Sequence, residues 1–315
     1  MKKCLVLGGL LCATASSVFA QEATFTTGLA KTIDAGLIDC GGRARVSAVG
    51  EIASDDGVIW TVPAATHFKS ATKASDLFNQ CGGTELSSID QLDLNSVPIM
   101  DAGGDEEFTA YIFADNYFEL YVNGQLLAVD PVPFTPFNSN VVRFTAQRPV
   151  TLAIMMVDWE ENLGLGSESN RGKDYHPGDG GLVAHIKDAD NNTVALTDKN
   201  WKAQTFYTAP LQTPDCLVIN GNLRDSSNCD ESGVNDATGF VAAHWEVPTD
   251  WMNPSFDDSN WPAATEFTND TVGVNNKESY TNFEDVFDTK GADAQFIWSS
   301  NLVLDNVVLL RRTID

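Results

Sequence analysis

Positive charge is scarce in this sequence. Across 315 residues, 19 lysines and arginines stand against 44 aspartates and glutamates, a net charge of −25. A surface so acidic repels the phosphates of nucleic acid and of anionic membranes, which argues against both as partners. Histidine is scarce too, at four residues, and the catalytic signatures that need fixed spacing are missing. There is no Gly-x-Ser-x-Gly elbow, no His-Glu-x-x-His and no phosphate-binding loop. No two cysteines have the two-residue spacing of a zinc site. No apolar run is long enough to cross a bilayer as a helix, so membrane insertion is not expected. Helical periodicity is sparse: Ala71–Asn79 predicts two turns and Ser87–Leu94 one more.

What is present begins with an export signal. Lys2 and Lys3 precede the apolar stretch Leu5–Leu11, and Val18-Phe19-Ala20 forms a small-residue cleavage site. Residues 1–20 are therefore expected to be a signal peptide, with the mature chain starting at Gln21 and secreted or periplasmic. Without those two lysines, 17 basic residues against 44 acidic ones leave −27. Solubility explains such an excess, and bound cations are the sharper alternative. Cys4 and Cys12 leave with the signal, while Cys40, Cys81, Cys216 and Cys229 remain. In an oxidising compartment four thiols imply two disulfides in one of three connectivities. Sequence proximity favours Cys216–Cys229 and Cys40–Cys81.

Strand patterning dominates the rest. In "NYFELYVNGQLLAVD", Phe118, Leu120 and Val122 alternate with Tyr117, Glu119 and Tyr121, and Asn123-Gly124 supplies a two-residue hairpin turn. Phe108–Ala114 and Val150–Val157 are apolar on both faces, as central strands of a layered core would be. Further strands are expected near 140–147, 181–187, 193–197, 217–219, 239–245, 294–299 and 305–311, with the proline-rich 131–137 as an extended crossing. The fold class that follows is all-β, an antiparallel β-sandwich or jelly roll with a few short helices. Residues 101–315 would form the sandwich and 21–100 would complete it, with "GVIWTVP" (57–63) the best additional strand.

Three stretches carry a resemblance. "FTAYIFADNYFELYVNGQLL", "GGLVAHIKDADNNTVALTDKNWKAQ" and "SFDDSNWPAA" resemble the galactose-binding-like (discoidin-like) jelly-roll domains, such as the accessory domains of bacterial α-L-rhamnosidases and related glycosidases. The matching positions are Asp115–Gly124, Gly181–Ile186, Asp198–Lys202 and Phe256–Pro262. The closing "AQFIWSSNLVLDNVVLLRRTI" resembles a strand pair that in such domains often stands at the beginning. The likeness spans roughly 108–314 and implies a fold more than a function. With the sequence ending at Asp315, no glycosidase barrel is expected to follow. Trp201 and Trp261 fall on motif positions that the resemblance implies are packing residues.

Candidate site residues cluster in one connection. Between Val150–Val157 and Leu182–Ile186 lie about two dozen residues, unusual inside a compact domain unless functional or disordered. The stretch holds the aromatics that disordered segments lack. Trp159 and Tyr175 could stack on a sugar ring, while Glu161, Arg171, His176 and Asp179 could bond its hydroxyls. These six are the expected ligand site, and the outer face around Tyr117 and Tyr121 is the next place to look. Calcium, which takes oxygen ligands from irregular loops, is the expected structural ion if there is one, with Asp101, Asp105, Asp230 and Asp236 as candidate ligands. The acidic turn at 188–192 is read instead as a hairpin turn. His185, His244 and Met155-Met156 are read as structural. The expected function is a secreted, noncatalytic binding protein for a glycan or other extracellular ligand. The alternatives are a calcium-stabilised surface or adhesion protein that binds another protein, and a carboxylate-dependent hydrolase or lyase using His176.

Overall fold

The computed structural model describes residues 22–168, 176–232 and 240–315. Its frame is two antiparallel sheets packed face to face, the expected sandwich. The first sheet has seven strands in the order 24–27, 241–244, 202–211, 305–314, 150–157, 117–122, 125–129. The second is centred on Glu106–Asp115, flanked by Ser139–Ala146 and Gly181–Asp188, and carries shorter strands at its edges. In these two sheets one pairing is parallel, Ile99–Asp101 against Ser139–Ala146. The hairpin turn is where the sequence puts it: Gln125 pairs with Val122, and Asn123 and Gly124 both have positive φ, 49° and 86°. Asp188–Asn192 likewise forms the turn between Gly181–Asp188 and Thr193–Leu196.

Alternation sorts each strand of the first sheet into two faces. Phe118, Leu120, Val122, Leu152, Ile154, Met156, Val308 and Leu310 point into the sandwich core, against Phe108, Ile112 and Val142 of the second sheet. Tyr117, Tyr121, Met155, Val157, Val307 and Leu309 point the other way, yet they are equally buried, in a second core. That outer face is covered by two segments. One is the N-terminal region, including Val49, Ile52, Val62 and Phe68; the other carries Trp245, Trp251 and Trp261.

Residues 21–100 therefore do two jobs. Thr24–Thr27, Ser75–Asn79, Thr84–Glu85 and Ile99–Asp101 extend the two main sheets, while Lys31–Asp34, Val49–Ala53 and Ile59–Val62 form a separate three-stranded sheet. The 57–63 stretch thus covers the sandwich instead of adding a strand to it. The helix expected at 71–79 is not formed. Ser75–Asn79 is a strand paired with Ser139–Val141, because an open sheet edge offers its backbone long-range partners that outweigh a weak helical preference. Both expected disulfides are present, Cys40–Cys81 and Cys216–Cys229.

Candidate functional site

The long connection was the first place to look, and its aromatic anchor is not available to a ligand. Trp159 is fully buried. Its indole N–H donates to the Ala48 carbonyl at 3.1 Å, and its ring meets Tyr117 edge-on at 5.9 Å. Trp159 pins the N-terminal cover to the sheet, so its assignment as a sugar platform is corrected to a packing role. The loop also lies close against its neighbours. Gly166, at φ 57°, passes so near Ala209 and Asn306 that a Cβ there would stand 2.6 Å from the Ala209 carbonyl oxygen.

The other expected ligand residues are scattered in role. Glu161 is half-buried. His176 bridges by its backbone to Glu168, and its ring lies 3.2 Å from the Pro177 carbonyl oxygen and 3.9 Å from Glu168. Asp179 joins a group of carboxylates, and burial followed by Glu168 pushes its pKa up to about 6. Arg171 and Tyr175 lie outside the described residues, as do the signal segment and Asp236.

The expected calcium loops look like ordinary turns. The Asp101 carboxylate accepts from the Gly103 N–H at 2.8 Å, and Asp230 accepts from the Ser232 N–H at 2.9 Å and from Gln212. Asp105 is exposed. Among the described residues no three His, Cys, Asp or Glu side chains are grouped to hold a metal.

A site emerges on the outer face of the seven-stranded sheet, around Tyr121. Between the sheet and the two covering segments lies a cavity of about 360 Å³. Glu119, Tyr121, Met155, Tyr207 and His244 line it from the sheet. Trp60, Pro63 and His67 come from the N-terminal cover, and Trp245, Trp251 and Met252 from the other. The rings are held by each other. His244 is sandwiched between Trp60 and Tyr207, with centroids 5.0 and 4.7 Å away, and Trp251 stands edge-on to Tyr121 at 5.3 Å. Burial keeps the His244 imidazole neutral, with a pKa pushed down to about 3, and Thr26 takes its Nε2 at 2.8 Å.

The polar end is built around Glu119, which has no exposed surface. One carboxylate oxygen accepts from the His67 backbone N–H and from Tyr117 at 3.0 Å. The other accepts from Tyr121 at 2.7 Å and contacts His67 Nδ1 at 2.9 Å. Four partners around one buried charge fix both tyrosines and the imidazole, since a buried carboxylate is tolerated only when its lone pairs are filled. Burial, and then Glu119, push the pKa of each of these tyrosines far up, so both stay protonated donors. The His67 side chain remains 55% exposed, which leaves its far edge accessible while the near edge is held.

Sequence reasoning named Tyr121 as the second place to search but missed the cavity. Its walls come from three distant segments, and no motif links them. One signal was available: Glu119 stands between two tyrosines on the face turned away from the sandwich core. No family model, curated protein or solved structure matches the chain.

Proposed function

We propose that this is a secreted, noncatalytic binding protein, built on a galactose-binding-like jelly roll, that holds a glycan or another small extracellular ligand in the aromatic cavity. The observation that supports this most is the cavity's composition. Tryptophan, tyrosine and methionine surfaces make up its walls, with one pre-organised polar group at one end. Small-ligand sites have this character, a largely apolar concavity with a few fixed polar groups. A sugar ring meets it with an apolar C–H face against indole and with hydroxyls at the edge of His67. The noncatalytic reading rests on Glu119: a general acid or base must be free to exchange its proton with substrate, and both of its oxygens are already engaged.

A glycan array followed by tryptophan-fluorescence titration of the best binder tests this. Trp60 lines the cavity but is only half-buried. Trp60→Ala should weaken binding by about 1–3 kcal/mol, the range of an aromatic anchor, with a small effect on melting. Unchanged affinity in Trp60→Ala and Met252→Ala, both folded, would mean that the cavity is a packing gap and the ligand sits elsewhere.

A further inference from the structure

Three strand ends lie at the base of the long connection. Asp115 closes the strand Glu106–Asp115 and pairs with Gly181, where Gly181–Asp188 opens. Asp158 and Glu160 follow Val150–Val157, and Asp179 stands just before Gly181. With Glu168, these acids lie within one another's field, and burial followed by this mutual repulsion pushes Asp115, Asp158 and Glu160 well above the usual carboxylate range. Among the described residues, Arg45 pairs with Glu168, and Lys277 acts on Asp115 and Asp179.

The decisive feature is geometric. Asp158 and Glu160 are each only 2% exposed, and among the described residues nothing donates a hydrogen bond to Asp158 Oδ2 or Glu160 Oε2. Buried acceptors left empty are rare in native proteins and call for a missing partner. The other oxygens of the same two carboxylates converge on the backbone of Gly178. A Cβ at that position would stand 2.9 Å from Glu160 Oε1 and 3.5 Å from Asp158 Oδ1, and the Gly178 N–H already donates to Glu160 Oε1 at 2.7 Å.

We propose that Asp158 and Glu160 bind one calcium ion beside Gly178, at the point where the long connection leaves and rejoins the sandwich. A hard cation matches an all-oxygen environment in irregular backbone. Calcium fits better than magnesium because it accepts a flexible shell of about six to eight oxygens, whereas magnesium demands a tight octahedron. Among the described residues no third acid, histidine or cysteine stands close enough to make a three-ligand group. The remaining oxygens would therefore be backbone carbonyls and water, with Asp115 and Asp179 adding negative field. The ion would tie the end of one core strand to the start of another, independently of the aromatic cavity.

The test uses the mature protein, stripped with a chelator and titrated with calcium chloride by calorimetry at neutral pH and constant ionic strength. The controlled salt matters because a chain this acidic is stabilised by any electrolyte. One saturable site per chain is expected. Asp158→Asn and Glu160→Gln should each weaken it at least about tenfold, and the double variant Asp101→Asn, Asp105→Asn should leave it unchanged. The metal-free Asp158→Asn protein should melt no lower than metal-free wild type, because a neutral amide of the same shape replaces a carboxyl that its buried acidic neighbours disfavour, so that lost binding is not lost folding. Three results would overturn the proposal. They are no saturable calcium binding in wild type, binding that survives both Asp158→Asn and Glu160→Gln, or a protonated-carboxyl infrared band at neutral pH that calcium does not remove.

Discussion

Glu119 offers the sharpest perturbation, because two substitutions there separate the loss of a charge from the loss of an acceptor. In Glu119→Ala, the His67 backbone N–H and the hydroxyls of Tyr117 and Tyr121 lose their shared acceptor. Tyr117 has no exposed surface and Tyr121 only 5%, so water cannot fully replace it. Leaving buried donors of this kind unpaired costs about 3–5 kcal/mol. Glu119→Gln keeps the shape, and the geometry dictates how the amide must sit. The His67 backbone N–H cannot turn away, so the amide oxygen takes the position beside it and Tyr117. The amide NH₂ then faces Tyr121 and His67 Nδ1, and both can become acceptors, one by rotating its hydroxyl and the other by changing tautomer. What remains lost is charge assistance, about 1–2 kcal/mol. At roughly 2 °C per kcal/mol for a chain of this size, the alanine variant should melt several degrees below the glutamine variant. Differential scanning calorimetry reads this directly. Equal melting temperatures for the two variants would refute the acceptor role. The glutamine variant should also bind ligand more weakly, because the His67 edge facing the cavity has changed tautomer.

Other outcomes follow from the same structure. By loop-closure reasoning, the separations of 13 and 41 residues make Cys216–Cys229 worth about 3 kcal/mol and Cys40–Cys81 about 4; paired Cys→Ser variants measured by urea unfolding check both values and their order. Gly124→Val should destabilise far more than Gln125→Val, because Gly124 sits at φ 86° with Asn253 Oδ1 only 2.7 Å from where its Cβ would stand, while Gln125 is exposed; equal thermal melts would contradict this. His244, with its folded pKa pushed down to about 3 from 6.5, binds fewer protons folded than unfolded between those values. Its contribution is therefore complete above pH 6.5 and falls by about 1.4 kcal/mol per pH unit on acidification towards 3. Its ring-proton NMR signal should stay flat from pH 7 to 4, and a titration midpoint near 6.5 would overturn the buried neutral assignment.

Much of the frame was legible because it rests on period-two patterning and one unambiguous turn. Phe108–Ala114 and Val150–Val157, apolar on both faces, lie in interior strands of the two sheets, and Asn123-Gly124 closes its hairpin. The errors came where long-range contacts decide. Ser75–Asn79 joins a sheet edge against its local preference. The α-helices among the described residues, Asn269–Val272, Glu278–Thr281 and Glu284–Phe287, are each a single turn, too short to display periodicity. Trp159 read as a ligand platform because composition cannot tell an indole facing solvent from one buried under a covering segment. The cavity was not legible for a related reason. Trp60, Tyr121 and Trp251 are far apart in the sequence, and only the third layer brings them together.

That layer follows from the sheet's own chemistry. Alternation sends Phe118, Leu120 and Val122 to one side and Tyr117 and Tyr121 to the other, while Met155, Val307 and Leu309 extend the second apolar face. Left bare, it would be a large hydrophobic patch on an otherwise acidic protein, and exposed patches of that kind drive association. Something must cover it, and here the cover consists of a small sheet and loops from both ends of the chain. Irregular backbone must first satisfy its own polar groups, so it cannot interdigitate with a sheet as closely as another sheet can. A gap is the natural result. An accidental gap, however, would be dry and featureless, since empty cavities in proteins are apolar. This one encloses a charged carboxylate whose four partners are all in place before any ligand arrives, with one edge of an imidazole left open to solvent. Keeping a full charge in such a place costs stability, and a network that only filled space could be replaced by leucine and phenylalanine at no loss. Under the function proposed above, that cost serves recognition.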